Sequence, residues 1–388
     1  MIQIQDREDQ SPINAFCLNA SGQIVAACGQ DSGRIRIVDD NGTVVRSWKV
    51  AVRPESVSVA GDGTILVGGE GRLFRFDNRG KILCEAESPH MNALKINRES
   101  LRKEAVRQLT AATGNLSLRI TSYERMLKML EDKGSKADLN SSEKQVLEML
   151  PALITQYKSM QKKQEEPGEE NKGPSEDEIE AATKRLVQSK TKISSISAGD
   201  DFVYVATRAV EGYGYAVWKL GKDFTGGEIV LDGLSGCCGQ MDVQACAAGL
   251  FVAENGRHRV VKYDHAGKGL CQWGKRDRTG IDGFTSCCNP MNVCFNSTGE
   301  VFTAESNTGR IKRFSSDGEL LAYVGDVELV PGCKNVSIAV SPNSDRVYML
   351  DLTRNHIVLM TAVPQPAKSA GKRPVQPVSA TREKQEKE

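Results

Sequence analysis

The stretch that decides the fold is Cys237-Cys238-Gly239-Gln240-Met241-Asp242, which returns fifty positions later as Cys287-Cys288-Asn289-Pro290-Met291-Asn292. After each stretch the chain runs through an apolar segment ending in Ala-Glu, a segment opening with Arg, and a turn at Gly267 or Gly318. A unit of this length cannot bury its own apolar face, so its repetition predicts an array or a propeller.

Four weaker copies of the same unit occur elsewhere in the chain. Each consists of three or four short alternating apolar segments with Gly, Asn or Asp at the turns, which is typical of antiparallel strands. Six such meanders can bury their faces by packing radially around a channel. The weaker copies begin near Pro12, Pro54, Ile193 and Asn335.

The cadence of the copies resembles the NHL repeat of six-bladed propellers. It runs Pro-x-Asn/Ser-Val, a strand ending in Ala-Glu, Arg-Ile-x-Arg-Phe, and Asp-x-Gly, and the fifth copy carries it best. The resemblance covers about 11–93 and 193–362, and the Cys-Cys-Asn-Pro opening is similar to a subset of bacterial NHL-like proteins. It implies an all-β six-bladed propeller. The missing Gly-His and Trp-Asp pairs disfavour the WD40 class.

Between residues 94 and 192 the apolar period changes from that of strands to that of helices. Leu109, Leu116, Tyr123 and Leu130 recur every seven residues, which is typical of coiled-coil packing. Ser175 and Glu178 have the spacing of a capping box for a helix that returns to the propeller. We predict propeller segments at 1–93, with the third unit beginning there, and at 193–362, a helical hairpin insertion at 94–192, and a disordered tail at 363–388.

The sixth copy shows only three clear strands before the chain turns polar near Pro364. A propeller ties its two ends together to remove an open edge. We therefore predict that Ile2-Gln3-Ile4 supplies the missing outer strand.

Charge and composition narrow the class of partner. With 51 basic and 50 acidic residues the formal net charge is +1, so no global field attracts nucleic acid, and nucleic acid is not an expected partner. No apolar run approaches the roughly 18–20 residues that a membrane span needs. The first residues lack the basic and apolar regions of a signal peptide, so we expect a cytoplasmic protein as written. A start site downstream of a true signal peptide would instead make it periplasmic or secreted.

Cysteines mark where function is expected. In a propeller, the chain enters each first strand on the face where the second strand ends. The vicinal cysteines and Cys333 precede the first strands of three consecutive units, and His90 aligns with Pro290. These groups are expected to meet at one channel mouth, beside the insertion: Cys237, Cys238, Cys287, Cys288, Cys333 and His90.

Two interpretations of this thiol group stay open. Thiolates bind Zn, Cu(I) or iron–sulfur clusters, and thiols whose pKa is lowered by arginines such as Arg257 and Arg310 exchange disulfides. Alternatively, each vicinal pair packs or forms a strained ring disulfide that stiffens its turn. The chain lacks the Cys-x-x-Cys spacing typical of metal sites.

Polar residues define an alternative site in the channel. Small oxygen-bearing side chains there could coordinate Ca²⁺, and the set resembles that of gluconolactonase-like hydrolases, which hold a metal with channel-facing Glu, Asn and Asp. A simpler interpretation is that a tight channel requires small residues, since only Asp242 carries charge. The predicted ring is Asn14, Ser56, Asn92, Asp242, Asn292 and Ser337. The second strands should add polar groups to the face: Glu254, Asn255, Glu305, Asn307 and Asp351.

The sequence therefore favours a binding and interaction module over an enzyme. It lacks a nucleophile elbow, a phosphate-binding loop, a dinucleotide fingerprint and a His-Glu-x-x-His motif, and no catalytic residue is assigned. A protein partner is expected on the helical insertion or on the propeller face. A metal-dependent hydrolase is the alternative.

Overall fold

Each repeat unit folds into an antiparallel sheet whose strands follow chain order. The computed structural model describes residues 2–4, 11–30, 32–114, 116–133, 141–165, 173–285, 288–306, 308–330 and 335–361. In these ranges five sheets have four strands and one has three. Sheets 1 to 3 contain β1 (Ile13–Leu18), β2 (Ile24–Cys28), β3 (Gly33–Val38) and β4 (Val44–Val50); β5 (Ser56–Val59), β6 (Ile65–Gly69), β7 (Arg72–Phe76) and β8 (Ile82–Glu87); β9 (Ile193–Ala198), β10 (Phe202–Arg208), β11 (Tyr215–Gly221) and β12 (Glu228–Leu234). Sheets 4 to 6 contain β13 (Asp242–Cys246), β14 (Gly249–Glu254), β15 (Arg259–Tyr263) and β16 (Gly269–Trp273); β17 (Asn292–Phe295), β18 (Val301–Ala304), β19 (Arg310–Phe314) and β20 (Leu320–Asp326); β21 (Ile338–Val340), β22 (Arg346–Asp351) and β23 (His356–Thr361).

The first strands of the six sheets form a closed ring. β1, β5, β9, β13, β17 and β21 contact one another in that order, and β21 returns to β1. An apolar core fills each junction between neighbouring sheets. Central strands such as β2 and β14 are buried along their whole length, because their sheets are covered on both faces. The arrangement is a β-propeller, as the repeat predicted.

Sheet 6 gains a partner from the start of the chain. Ile2 pairs antiparallel with Ile357 of β23, through N–H···O bonds of 2.7 and 2.9 Å. Its side chain is buried in the core between sheets 6 and 1. The predicted closure is confirmed at Ile2.

Among the described residues, five α-helices lie between β8 and β9. In the described ranges α2 packs on α5 and α3 packs on α4, with Leu130 and Leu150 buried between the latter pair. The predicted capping box of Ser175 and Glu178 is present at the start of α5. None of these described helices is long and apolar enough to cross a membrane. The helices are α1 (Pro89–Ile96), α2 (Arg98–Gly114), α3 (Leu116–Glu131), α4 (Ser141–Glu165) and α5 (Glu176–Lys190).

The third sheet begins later than the sequence register indicated. All four of its strands follow α5, whereas His90 and Asn92 lie in α1. Ser88 occupies the N-cap position of this helix without a side-chain capping bond, and Pro89 occupies its first turn, where the fixed φ of proline suits a helix as well as it suits a strand entry. The expected alignment of His90 with Pro290 is therefore wrong. The predicted tail at 363–388 lies outside the described residues.

Candidate functional site

Three thiols from two neighbouring sheets meet at one point. The Sγ atoms of Cys238 and Cys288 are 2.9 Å apart, those of Cys237 and Cys288 3.1 Å, and those of Cys237 and Cys238 3.6 Å. Cys288 is buried, Cys237 is half-buried and Cys238 is exposed. We call these three residues the thiol cluster. Among the described residues, they alone form a group of His, Cys, Asp or Glu compact enough to hold a metal ion.

A left-handed turn brings the vicinal thiols to the same side of the chain. In an extended strand, consecutive side chains point to opposite faces. Here Cys238 and Gly239 have φ angles of 54° and 73°, and the N–H of Gln240 donates to the carbonyl of Cys237 at 3.3 Å. Residues other than glycine rarely adopt such a φ, so the position of the Cys238 thiol is maintained against local strain.

Two predicted face residues anchor the turn of sheet 4. Asn255 Oδ1 accepts from the N–H of Cys237 at 2.7 Å, and its amide donates to the carbonyl of Gln240 at 3.0 Å. The fully buried Glu254 accepts from the N–H of Ser235 at 2.9 Å. These side chains position the cysteines through the backbone.

Glu305 plays the same part in sheet 5. Its Oε2 accepts from the N–H of Thr285 at 2.9 Å and from the Thr285 hydroxyl at 2.5 Å. Its Oε1 lies 2.8 Å from Lys312 Nζ, so the buried carboxylate is paired, as its burial requires. Asn289 accepts from the N–H of Ser306 at 2.9 Å and holds the segment that follows Cys288.

The thiol cluster opens into a cleft beneath the helices. Cys237 and Cys238 line a cavity of about 460 Å³ together with residues of α2, α5 and sheet 3. Arg208 lines the same cavity, and Lys192 Nζ donates to the carbonyl of Gly239 at 2.7 Å. Burial lowers the pKa of Lys192, although the nearby Glu55 acts in the opposite direction. The open side of the cluster is therefore bordered by positive charge.

His90, a further member of the predicted thiol site, does not join the thiol cluster. His90 is buried at the start of α1, where its Nδ1 lies 2.8 Å from the hydroxyl of Ser88. Burial lowers its pKa to about 4. Cys287 and Cys333 lie outside the described residues, and their part in the site stays a prediction.

The predicted channel ring ties neighbouring sheets together. Asp242 Oδ2 accepts from the N–H of Val293 at 2.8 Å, and Asn292 Oδ1 accepts from the N–H of Ile338 at 2.9 Å. The Asn14 amide donates to the carbonyl of Pro54 at 2.8 Å. Ser56 and Ser337 also line the channel, which has a volume of about 240 Å³.

Asn92 is the one ring residue that the structure places elsewhere. It is exposed on α1, and Ser195 of β9 occupies the corresponding channel position, where its hydroxyl accepts from the N–H of Val243 at 3.0 Å. The motif Ile193-Ser194-Ser195-Ile196 carries the correct register for this channel position, whereas the register based on Asn92 is wrong. Sequence reasoning gave no signal for Lys192 and Arg208.

Asp242 is the charged member of the ring. Burial raises its pKa to about 7, although hydrogen bonds from Val293 and Gln244 act in the opposite direction. Asp351, at the end of β22, accepts from the N–H groups of Thr353 and Arg354 and closes its own turn. Asn307 lies outside the described residues. These contacts indicate that the polar residues of the channel and the face stabilise the fold.

No protein-family profile and no curated protein sequence matches the chain. Among solved structures it is similar to a streptogramin B lyase, with 11% identity over 94% of this chain and 87% of the lyase, at a TM-score of 0.45. It is similar to a gluconolactonase from Xanthomonas campestris, with 10% identity over 93% of this chain and 91% of the enzyme, at a TM-score of 0.44. A luciferin-regenerating enzyme shows 12% identity over 92% of this chain and 94% of that chain, at a TM-score of 0.48. Such values support no argument about activity.

Proposed function

We propose that the chain is a six-bladed NHL-type propeller that acts as a binding module and holds a thiophilic metal ion at the thiol cluster. The observation that carries the proposal is the meeting of three sulfur atoms from two sheets within 3.6 Å of one another. Thiolates select soft or borderline ions, which are Zn²⁺, Cu(I) or the iron of an iron–sulfur cluster. The exposed Cys238 gives such an ion a path from the cleft.

The spacing of the sulfurs is close to what an ion requires. With metal–sulfur bonds of about 2.3 Å, a tetrahedral site separates its sulfurs by roughly 3.8 Å. The Sγ atoms of Cys238 and Cys288 start 2.9 Å apart, so small side-chain rotations suffice. The anchors Glu254, Asn255 and Glu305 hold the backbone of both turns, which limits the entropy lost on binding.

Metal analysis of the full chain purified without oxygen tests the proposal. We expect about one thiol-bound ion per chain, reduced to near zero by Cys288→Ser, because a hydroxyl is a poor ligand for soft ions. Cys271→Ser is the matched control, since burial raises the pKa of that thiol and it lies outside the thiol cluster. Unchanged metal content in Cys288→Ser would refute the metal site.

Thiol–disulfide exchange is a second candidate function. Cys288 lies within 3.1 Å of both vicinal thiols, so it can form a bond with either. Reaction with a small disulfide would join Cys238 and Cys288 and release two molecules of the corresponding thiol. Mass spectrometry without reductant separates metal binding from thiol–disulfide exchange. Exchange predicts a disulfide that joins the tryptic peptides of Cys238 and Cys288, whereas metal binding predicts a bound ion and no such cross-link.

The geometry does not favour the hydrolase alternative. A Ca²⁺ site needs six to eight oxygen ligands, several of them charged. In the channel, the side-chain oxygens of Asp242 and Asn292 already accept hydrogen bonds from backbone N–H groups of the next sheet. We assign these oxygens to holding the sheets together.

We further propose that the helical insertion provides the surface for a protein partner. Met126, Met129, Met149 and Met160 on α3 and α4 are exposed, and flexible methionine surfaces adapt to partner chains. The net charge of +1 is close to neutral, which favours a protein over nucleic acid as the partner. Replacing residues 115–172 with a short linker should abolish such binding and leave metal content unchanged.

A further inference from the structure

Two positively charged side chains lie beside the exposed thiol of the cluster. Lys192 Nζ hydrogen-bonds the carbonyl of Gly239, the residue after Cys238. A methyl group added to Gly239 would lie 3.6 Å from Arg208 Nη2 and 3.8 Å from Lys192 Nζ. Arg208 also lines the cleft into which Cys237 and Cys238 open. Both cations therefore border the turn that carries Cys237 and Cys238.

Nearby carboxylates offset these charges only in part, and among the described residues none forms an ion pair with Lys192 or Arg208. Glu55, the carboxylate that acts on Lys192, accepts at Oε2 from the N–H of Ile193 at 2.9 Å and from that of Glu70 at 3.2 Å. Glu104, which lines the cleft from α2, acts on Lys190. Lys192 and Arg208 thus retain positive charge that a negatively charged ligand complex can use.

We propose that Lys192 and Arg208 adapt the thiol cluster to monovalent copper in preference to divalent zinc. The inference rests on the proposed function and deepens it. Metal binding displaces the protons of the three thiols, so three neutral groups become a complex with two negative charges for Cu(I) and with one for Zn²⁺. The two cations stabilise the Cu(I) complex more, because the attraction grows with the charge of the complex.

The surroundings of the cluster are compatible with Cu(I). Met291 belongs to the apolar core that contains Cys288, so the buried side of the cluster is dry. Thiolates bind Cu(I) as well as Zn²⁺, so the charge of the two cations decides the preference.

Competition titrations of the full chain under reducing, oxygen-free conditions test the inference. Cu(I) is titrated against bicinchoninate and Zn²⁺ against a chromophoric zinc chelator, for the wild type, Lys192→Gln and Arg208→Gln. Each charge removal should weaken Cu(I) by about tenfold and Zn²⁺ by only about threefold, because the charges of the two complexes differ by a factor of two. The charge-conserving variants Lys192→Arg and Arg208→Lys should keep the preference of the wild type for Cu(I). Lys268→Gln, an exposed cation on the turn between β15 and β16, should change neither affinity.

The outcomes separate this inference from the proposed function. Equal losses for both ions, or no loss, would overturn the charge argument while Cys288→Ser still abolishes binding. If the wild type binds neither ion, the metal proposal itself fails. Circular dichroism identifies any variant that does not fold. If the Lys192 variants do not fold, Arg208→Gln and Arg208→Lys test the inference alone, because Arg208 lacks the hydrogen bond that Lys192 makes to Gly239.

Discussion

Sheets 4 and 5 are two copies of one unit, and they anchor their cysteine turns in the same way with different electrostatics. Glu254 pairs with Arg257 and Arg259, whose side chains are 50% and 26% exposed, at 2.6 and 2.5 Å. Glu305 pairs at 2.8 Å with Lys312, which is 1% exposed. Both carboxylates are therefore fully buried, but the cations that pair with them reach water in sheet 4 and are wholly inside the protein in sheet 5. The repeat preserved the anchor, and the cost of losing it now differs between copies.

Removing the two anchor charges gives the largest expected contrast. Glu305→Gln leaves Lys312 buried without a counter-charge, which should lower the free energy of unfolding by about 3–5 kcal/mol. Glu254→Gln should lower it by only about 1–3 kcal/mol, because Arg257 and Arg259 reach solvent. Urea unfolding measures both values. Adding Lys312→Met to Glu305→Gln should recover much of the loss, and equal losses in the two single variants would show that burial does not distinguish the copies.

Sheets 4 and 5 carry different residues at the equivalent position facing the channel, and only the residue of sheet 4 is titratable. Asp242 in sheet 4 corresponds to Asn292 in sheet 5, and burial raises the pKa of Asp242 to about 7. The folded state therefore holds the proton more tightly than the unfolded chain, whose carboxyl has a pKa near 3.9. Its stabilising contribution is complete below about pH 4 and is lost as the pH rises through about 7.

Asp242→Asn should remove this pH dependence. The wild type should lose a few kcal/mol of stability between about pH 4 and pH 7 relative to the variant. Unfolding free energies measured at half-unit steps of pH provide the comparison, with Asn292→Ala as a control that affects all pH values equally. A parallel pair of wild-type and Asp242→Asn curves would contradict the raised pKa.

The smallest expected effect concerns how the ring is closed. The junction of sheets 4 and 5 is compared here with the junction of sheets 6 and 1. The first is closed by continuous chain, whereas the second depends on the pairing of Ile2 with Ile357. Removing residues 1–4 should lower the free energy of unfolding by about 2 kcal/mol, since it removes a buried isoleucine. Gln3→Ala, at an exposed position, should leave the thermal midpoint unchanged. An unaltered midpoint in the truncated chain would place the closure elsewhere.

Sequence reasoning succeeded where the physical cause is local. Gly267 and Gly318 have φ angles of 88° and 93°, and each lies in a turn that the repeat predicted. In the first of these turns, Asp264 accepts from the N–H groups of Ala266 and Lys268, so five consecutive residues specify the geometry. The capping box of Ser175 and Glu178 is specified in the same short-range way.

Only the tertiary structure decided which groups share a site. Pro89 suits the start of a strand or of a helix, and packing against the propeller selected the helix, which separated His90 from the thiols. Cys238 and Cys288 meet because sheets 4 and 5 are neighbours in a closed ring. Lys192 and Arg208 reach the same turn from sheet 3 and carry no pattern that marks them in the sequence. A repeat determines where its strands and turns fall, because these depend on adjacent residues, whereas the chemistry at the channel mouth depends on which loops the ring brings together.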